Sequence, residues 1–356
     1  MELQICRPEA EGLSSSAILA FVEAAETELE ALHSLMILRH GHIVTQGWWQ
    51  PYGASYNHRL FSLSKSFTST AIGLAVSEGL LRVDDLVVSF FSDALPQEPS
   101  ENLLAMRIRD LLAMTSGHHN DTLGRLLACE DGQWTRAFLA LPVEHKPGTH
   151  FVYNTGATYM LAAILQQVTG ETLQDYLQPR LFGPLGIQNP KWQMSPEGVH
   201  VGGWGLRVTT EDIARFGQLY LQKGQWEGKQ LVPEEWVAQA TLRQTSNGSN
   251  PESDWEQGYG YQFWRCRHNA YRGDGAFGQF CLVMPDQDMV VAITSGLKNM
   301  QSVLDLIWKY VLPAVQSEPL PPNDQDYNLL QEKMGSLSLP VVQGLATSSL
   351  ATDVSG

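Results

Sequence analysis

Strand-like runs occur only at the two ends of this 356-residue chain, and no other feature restricts its fold as much. Leu35-Met36-Ile37-Leu38-Arg39 and the run Ile43 to Trp49 flank His40-Gly41-His42, a glycine-containing connector of the kind that closes a hairpin. The next strand-like segments are Tyr259 to Cys266, Gln279 to Met284 and Met289 to Thr294, short and rich in aromatic or β-branched residues. Between these two groups the pattern is helical or loop-like, with helical runs at Leu63 to Leu81, Met106 to Met114, Ala157 to Thr169 and Thr210 to Lys223. Ser14 to Leu32 and Gln301 to Leu312 read as further helices beside the strands. This order predicts an α/β (α+β) fold: one antiparallel sheet built from both chain ends and flanked by helices, with a mainly helical lobe inserted. The expected division is a sheet lobe of 1–58 and 255–315, a helical lobe of 59–254, and a tail of 316–356. With Pro319-Leu320-Pro321-Pro322 and a Ser/Thr-rich end, the tail shows no core of its own and is expected only to brace the surface. No internal repeat is visible.

Charge narrows the partners. A formal net charge of −15 without a basic cluster argues against nucleic acid and against anionic membranes. The first residues, Met1-Glu2-Leu3-Gln4-Ile5-Cys6, lack the basic start and apolar core of a signal peptide, and no apolar run reaches membrane-spanning length. Cys6, Cys129, Cys266 and Cys281 are scattered without metal-ligand spacing, which suits reduced thiols in a cytoplasmic protein. No metal, nucleotide or flavin motif stands out, so no cofactor is expected. The sequence gives no sign of oligomeric state.

Within the helical insert, Ser62-Leu63-Ser64-Lys65 lies where a polar segment passes into a helix. Three residues is nearly one turn, so the heads of Ser62 and Lys65 can meet on one face. A helix start supplies unpaired N–H groups and the positive end of the dipole, which favour a developing oxyanion. Phe67, Ala71, Ile72 and Leu74 surround the lysine with apolar groups, and desolvation would lower its pKa enough for a neutral amine to accept the serine proton. The plain alternative is an N-cap serine beside a solvated lysine, since the pattern fixes only two letters. Tyr153, in Tyr153-Asn154-Thr155 between a Lys146-Pro147-Gly148 loop and a helix, is a candidate proton shuttle if a nearby lysine depresses its phenol. Gly273-Asp274-Gly275-Ala276-Phe277-Gly278-Gln279 enters a strand, and its glycines let a ligand approach the backbone. An N–H there, paired with that of Ser62, would form an oxyanion hole. A simple glycine-rich hairpin accounts for the segment equally well.

Taken in order, these phrases resemble the serine β-lactamase and penicillin-binding-protein superfamily. Within it they are most similar to the class C-like branch of class VIII carboxylesterases, D-amino peptidases and nylon-oligomer hydrolases. The resemblance runs from about Leu13 to Leu312. It is carried by Phe61 to Thr68, by Leu111-Leu112-Ala113-Met114-Thr115-Ser116-Gly117-His118, by Val168-Thr169-Gly170, by Pro184-Leu185-Gly186-Ile187 and by Gly205 to Phe216. It implies that Ser62 is the acyl-accepting nucleophile, Lys65 its activating partner and Tyr153 the base that hands a proton to the leaving group. The oxyanion would lie between the N–H groups of Ser62 and Ala276. Two departures bear on the substrate. Thr155 stands where the family's second motif carries asparagine, with Asn154 on another face. Gly273 stands where its third motif carries lysine or histidine, beside an acidic Asp274. Arg272 or His268 is a candidate replacement for that charge, and Thr155, Trp204 and Gly275 are candidate substrate-binding residues; His118 and His119 more simply fill structural or solvated places. The expectation is a serine hydrolase acting on small acyl esters or amides. β-Lactamase or D-amino peptidase activity, or a non-catalytic member that binds peptidoglycan fragments or β-lactams, is the alternative.

Overall fold

A computed structural model describes residues 3–340. Helix α1 (Ser15–Glu28) leads into β1 (Leu32–Arg39) and β2 (His42–Trp48), joined at His40-Gly41, both with positive φ. The insert then supplies α2 (Ser64–Ser77), α3 (Thr155–Thr169) and α4 (Thr210–Leu221) among shorter helices. The chain returns as β3 (Trp264–Arg265), β4 (Tyr271–Gly275), β5 (Gln279–Met284) and β6 (Met289–Ser295), followed by α5 (Gln301–Leu306) and α6 (Asp324–Gly335). The six strands form one antiparallel sheet in the order β2-β1-β6-β5-β4-β3, so the first hairpin docks on the last strand, as expected from both chain ends.

Strand alternation divides the apolar residues between two cores. Met36, Leu38, Cys281, Val283, Val290 and Ala292 face the helical insert. Leu35, Ile37, Phe280, Leu282, Met284, Val291 and Ile293 face α1 and α5. Every strand residue of β1, β5 and β6 is therefore buried, and these strands read as continuous apolar runs because both faces are covered.

Three expectations need correction. The run Tyr259 to Cys266 is a strand only at Trp264–Arg265, because Tyr259 bridges back to Thr245 instead. In its place Tyr271–Gly275 forms a separate strand that its Gly-Asp-Gly composition conceals, giving four late strands rather than three. The tail is also more than surface bracing. Leu330 and Met334 of α6, with Leu337 beyond it, enter the second core, and the Gln50 N–H donates to the Leu337 carbonyl at 3.0 Å. A Cβ on Gly47 of β2 would meet Met334 and Leu337, so the strand is glycine where α6 lies closest. The Ser/Thr-rich end, from 341 onward, lies outside the described residues. Helix α4, placed in the insert by sequence, packs directly on β1, β5 and β6 and so belongs to the sheet's own layers.

Candidate active site

The chain enters α2 through a single 3-10 turn, Phe61–Leu63, with Phe61 held at φ +49°. A bulky residue in the left-handed region is strained, and such strain persists only where the surroundings enforce it. Ser64 enforces it here: its Oγ donates to the Phe61 carbonyl at 2.7 Å and accepts the Leu206 N–H at 3.1 Å. The turn leaves Ser62 half-buried at the open end of a helix that is otherwise buried from Ser64 to Ala75.

One turn on, Lys65 is 1% exposed. Its Nζ lies 2.8 Å from Gly203 O, 3.4 Å from Thr155 Oγ1 and 3.4 Å from Ser62 Oγ. Burial pushes its pKa down to about 7, although Asp121 and Asp274 pull in the opposite direction. The three neighbours also dictate which way the amine faces. The Gly203 carbonyl can only accept. Thr155 Oγ1 donates its own proton to Asp121 Oδ2 at 3.2 Å, leaving its lone pairs for Lys65. As an ammonium Lys65 donates to all three neighbours; a neutral amine has two N–H bonds and one lone pair, so with both bonds given to Gly203 and Thr155 the lone pair would be left for Ser62.

Two groups in this arrangement carried no signal as site residues. Asp121 accepts both the Thr155 N–H, at 2.8 Å, and its hydroxyl, and so sets the direction of the threonine. Gly203 must be glycine, because a Cβ would stand 2.7 Å from Thr155 Cγ2 and 3.2 Å from Lys65 Nζ. Thr155 itself, expected to touch substrate, is 7% exposed and serves the lysine. Asn154 is fully buried; its Oδ1 caps α3 at Gly156 and accepts from Thr122, tying the 116–122 loop to the helix.

Tyr153 is half-buried, its phenol within electrostatic reach of Ser62 and its ring stacked on Trp264 at 5.3 Å, with Lys65 Nζ 5.0 Å from the ring centre. The expected depression of its phenol does not occur. Burial and the neighbouring Asp274 push its pKa well up, and the Ser62 hydroxyl offsets this only in part. Tyr153 is therefore a protonated phenol at neutral pH.

The opposite wall is β4. β3 pairs with it only at Trp264↔Arg272 and Arg265↔Tyr271, so beyond Arg272 its outer edge has no partner strand among the described residues. Gly275 O accepts the Gly278 N–H at 3.0 Å inside the β4–β5 turn. In a trans peptide the N–H opposes the C=O, so the Ala276 N–H points the other way, towards the open edge. Gly275 lies so close to the nucleophile turn that a Cβ would collide with the Leu60 carbonyl, and Phe61 and Phe277 meet edge-on at 5.3 Å. Ser62 and Ala276 thus stand on facing segments.

Gly273 is not a vacancy for a cation. Its Cα faces α2, and a Cβ there would lie 2.5 Å from both Leu63 Cδ1 and Ser66 Oγ. Arg272 and Asp274 point to the other face of the strand. Arg272 is fully buried, 2.7 Å from Asp274 and 4.1 Å above the Trp255 ring. It belongs to the wall and does not reach substrate as expected. His268 packs on Trp308 at 4.9 Å, away from this edge. Trp204 is half-buried, 6.1 Å from Trp134, and its carbonyl accepts from Trp192 Nε1 at 2.8 Å. His118 is fully buried against Phe138, its Nδ1 3.0 Å from Ser116 Oγ and its pKa lowered to about 4 by burial.

Residues 26–312 match the family model described as Beta-lactamase. A candidate D-alanyl-D-alanine carboxypeptidase of Escherichia coli O157:H7 is 30% identical over 130 residues, 34% of this chain and 30% of that protein. The chain thus spans about a third of the length of that curated relative. Among solved structures, a candidate 6-aminohexanoate-dimer hydrolase from Bacillus anthracis superposes with a TM-score of 0.70 at 18% identity, covering 93% of this chain and 88% of the other. EstCE1, a hydrolase with promiscuous acyltransferase activity, gives 0.68 at 18% identity over 83% and 98%. At such identities the two superpositions speak for the fold alone.

Proposed function

The chain belongs to the beta-lactamase family, and from that premise we propose that it cleaves small acyl esters or amides through an acyl-enzyme on Ser62. The observation that carries the proposal is the placement of Lys65: a buried amine whose pKa burial lowers to about 7, its Nζ 2.8 Å from Gly203 O and 3.4 Å from both Thr155 Oγ1 and Ser62 Oγ. Ser62 Oγ gives its proton to Nζ and bonds to the acyl carbon. The carbonyl oxygen becomes an oxyanion between the N–H groups of Ser62 and Ala276. The Tyr153 phenol protonates the departing alkoxide or amine and recovers a proton from the Lys65 ammonium. Water then attacks the acyl carbon by the reverse sequence, releasing the acid and restoring Ser62.

Substrate choice follows from β4. Recognition of an anionic lactam gains from a cation at the oxyanion strand, and a charge-assisted hydrogen bond there contributes about 1.5–3 kcal/mol. Gly273 offers none and Arg272 is committed to Asp274. Neutral short-chain esters lose nothing by this. The test is a fluorophosphonate probe with the adduct mapped by mass spectrometry, alongside kcat/KM for p-nitrophenyl acetate, p-nitrophenyl butyrate and nitrocefin on one preparation. Labelling at Ser62, with either ester ahead of nitrocefin, is expected. Labelling elsewhere in an active protein would overturn the mechanism; nitrocefin ahead of every ester would restore a β-lactamase.

A further inference from the structure

Outside the catalytic cleft, His119, His145 and His150 bring three imidazoles together from two loops, with one ring nitrogen of each within 4.8 Å of the others. His119 Nδ1 and His145 Nε2 are 3.1 Å apart, and the His145 and His150 rings lie 4.1 Å centre to centre. Zinc–imidazole bonds of about 2.0–2.1 Å at a tetrahedral angle separate neighbouring nitrogens by about 3.3 Å. The first pair already stands near that spacing, and from within 4.8 Å the third ligand needs to close by at most about 1.5 Å. The backbone holds the loops in place. His145 N–H donates to Gly117 O at 2.8 Å, Gly148 N–H to Thr115 O at 2.8 Å and Val152 N–H to Met114 O at 2.9 Å. From the other side Glu144 Oε2 accepts the His119 N–H at 3.0 Å. His145 and His150 stand five positions apart on one loop, but His119 lies 26 and 31 positions before them, so the sequence alone does not bring the third ligand to the pair.

We propose that His119, His145 and His150 bind one divalent transition ion of the zinc class through three imidazole nitrogens, with the fourth position open to water. His119 is two residues before Asp121 and His150 three before Tyr153, so a bound ion would clamp together the segments that carry the lysine's counter-charge and the phenol. The competing cluster is Cys6, Glu11 and His42 on the first hairpin, which would bind through a thiolate. The two differ in chemistry, and that makes them separable.

The experiment is equilibrium dialysis of the full chain against Zn²⁺, with bound metal counted per chain, in the wild type, H119Q, H145Q, H150Q and C6S. A Co²⁺ spectrum and the thermal midpoint with and without metal accompany it. Expected are one zinc per chain, an affinity at least tenfold weaker in each histidine variant, and no change in C6S. Losing an outer partner alone typically costs 10–100-fold, and a direct ligand costs at least as much. The cobalt complex should lack a thiolate charge-transfer band, and zinc should raise the midpoint of the wild type but not of H145Q. The glutamine variants keep the backbone bonds that hold the loops, and their metal-free midpoints check that they fold. Undiminished zinc binding in the histidine variants, loss in C6S, or no binding at micromolar zinc would each overturn the assignment.

Discussion

The two walls of the cleft are built on opposite plans. On the helical side, Lys65, Thr155, Asp121 and Gly203 form a chain of directed hydrogen bonds that orients one amine towards Ser62. On the strand side, Gly273 and Gly275 are bare backbone pressed against the nucleophile turn, while Arg272 and Asp274 pair with each other on the far face. In the proposed mechanism the first wall would move protons and depend on side chains, and the second would hold charge with N–H groups and depend on having none. Substitutions on the two sides should therefore fail differently, through kcat and its pH dependence on one and through folding and substrate choice on the other.

The largest effect belongs to the residue both walls serve. Ser62→Ala should lower kcat by roughly 10⁴-fold or more and abolish probe labelling. Its thermal midpoint should hardly move, because a half-exposed hydroxyl contributes little to packing. Residual turnover above about 1% would mean another nucleophile. Next come Lys65→Ala and Tyr153→Phe, each expected to cost about 10²–10⁴-fold in kcat. If they pass one proton between them as proposed, the double variant should be little worse than the poorer single. Clean multiplication of the two losses would show that they act independently. The reactive form of Lys65 is the neutral amine, so activity should rise with pH through about 7 and fall about tenfold per unit below it. A profile that falls as pH rises through that region would assign the amine the opposite role.

The strand wall gives the middle-sized effect. Gly273→Lys places a Cβ 2.5 Å from Leu63 and Ser66, and overpacking a buried contact of this kind typically costs 1–3 kcal/mol. The expected outcome is a lower thermal midpoint and weaker esterase activity, with no gain in nitrocefin hydrolysis. A stable variant that gained the lactam would show that the strand can yield to a side chain there.

The same contrast explains what the sequence made legible. Ser62 and Lys65 are one helical turn apart, so local periodicity alone brings them together. The sheet's construction from both chain ends follows from where the apolar runs fall. Asp121 was hidden because its role depends on Thr155, 34 residues away, and an exposed aspartate in a loop has no distinguishing pattern. Arg272 misled for a related reason: a cation beside a suspected oxyanion strand looks available until strand alternation turns it to the other face. The ionisation of Tyr153 depends on how deeply its hydroxyl is buried and on Asp274, neither of which sequence spacing encodes. β4 was missed because its strand is imposed by neighbours against the preference of Gly-Asp-Gly.

The smallest effect tests how finely the helical wall is tuned. Asp121 is exposed, yet its charge raises the pKa of Lys65 against the lowering by burial. Asp121→Asn removes that charge and leaves an amide oxygen able to accept the Thr155 N–H. A carboxylate favours the ammonium, so its loss favours the neutral amine and the acid limb of the kcat/KM profile should move to lower pH. The plateau should fall less than about tenfold, since Thr155 loses its anionic acceptor but Gly203 still binds the amine. Because the charge acts from an exposed position, the displacement between variant and wild type should shrink as ionic strength rises from about 0.01 to 1 M, over which the screening length falls from about 30 to 3 Å. A limb that moves upward, or one unmoved at low salt, would detach Asp121 from the lysine and leave it only the task of holding Thr155.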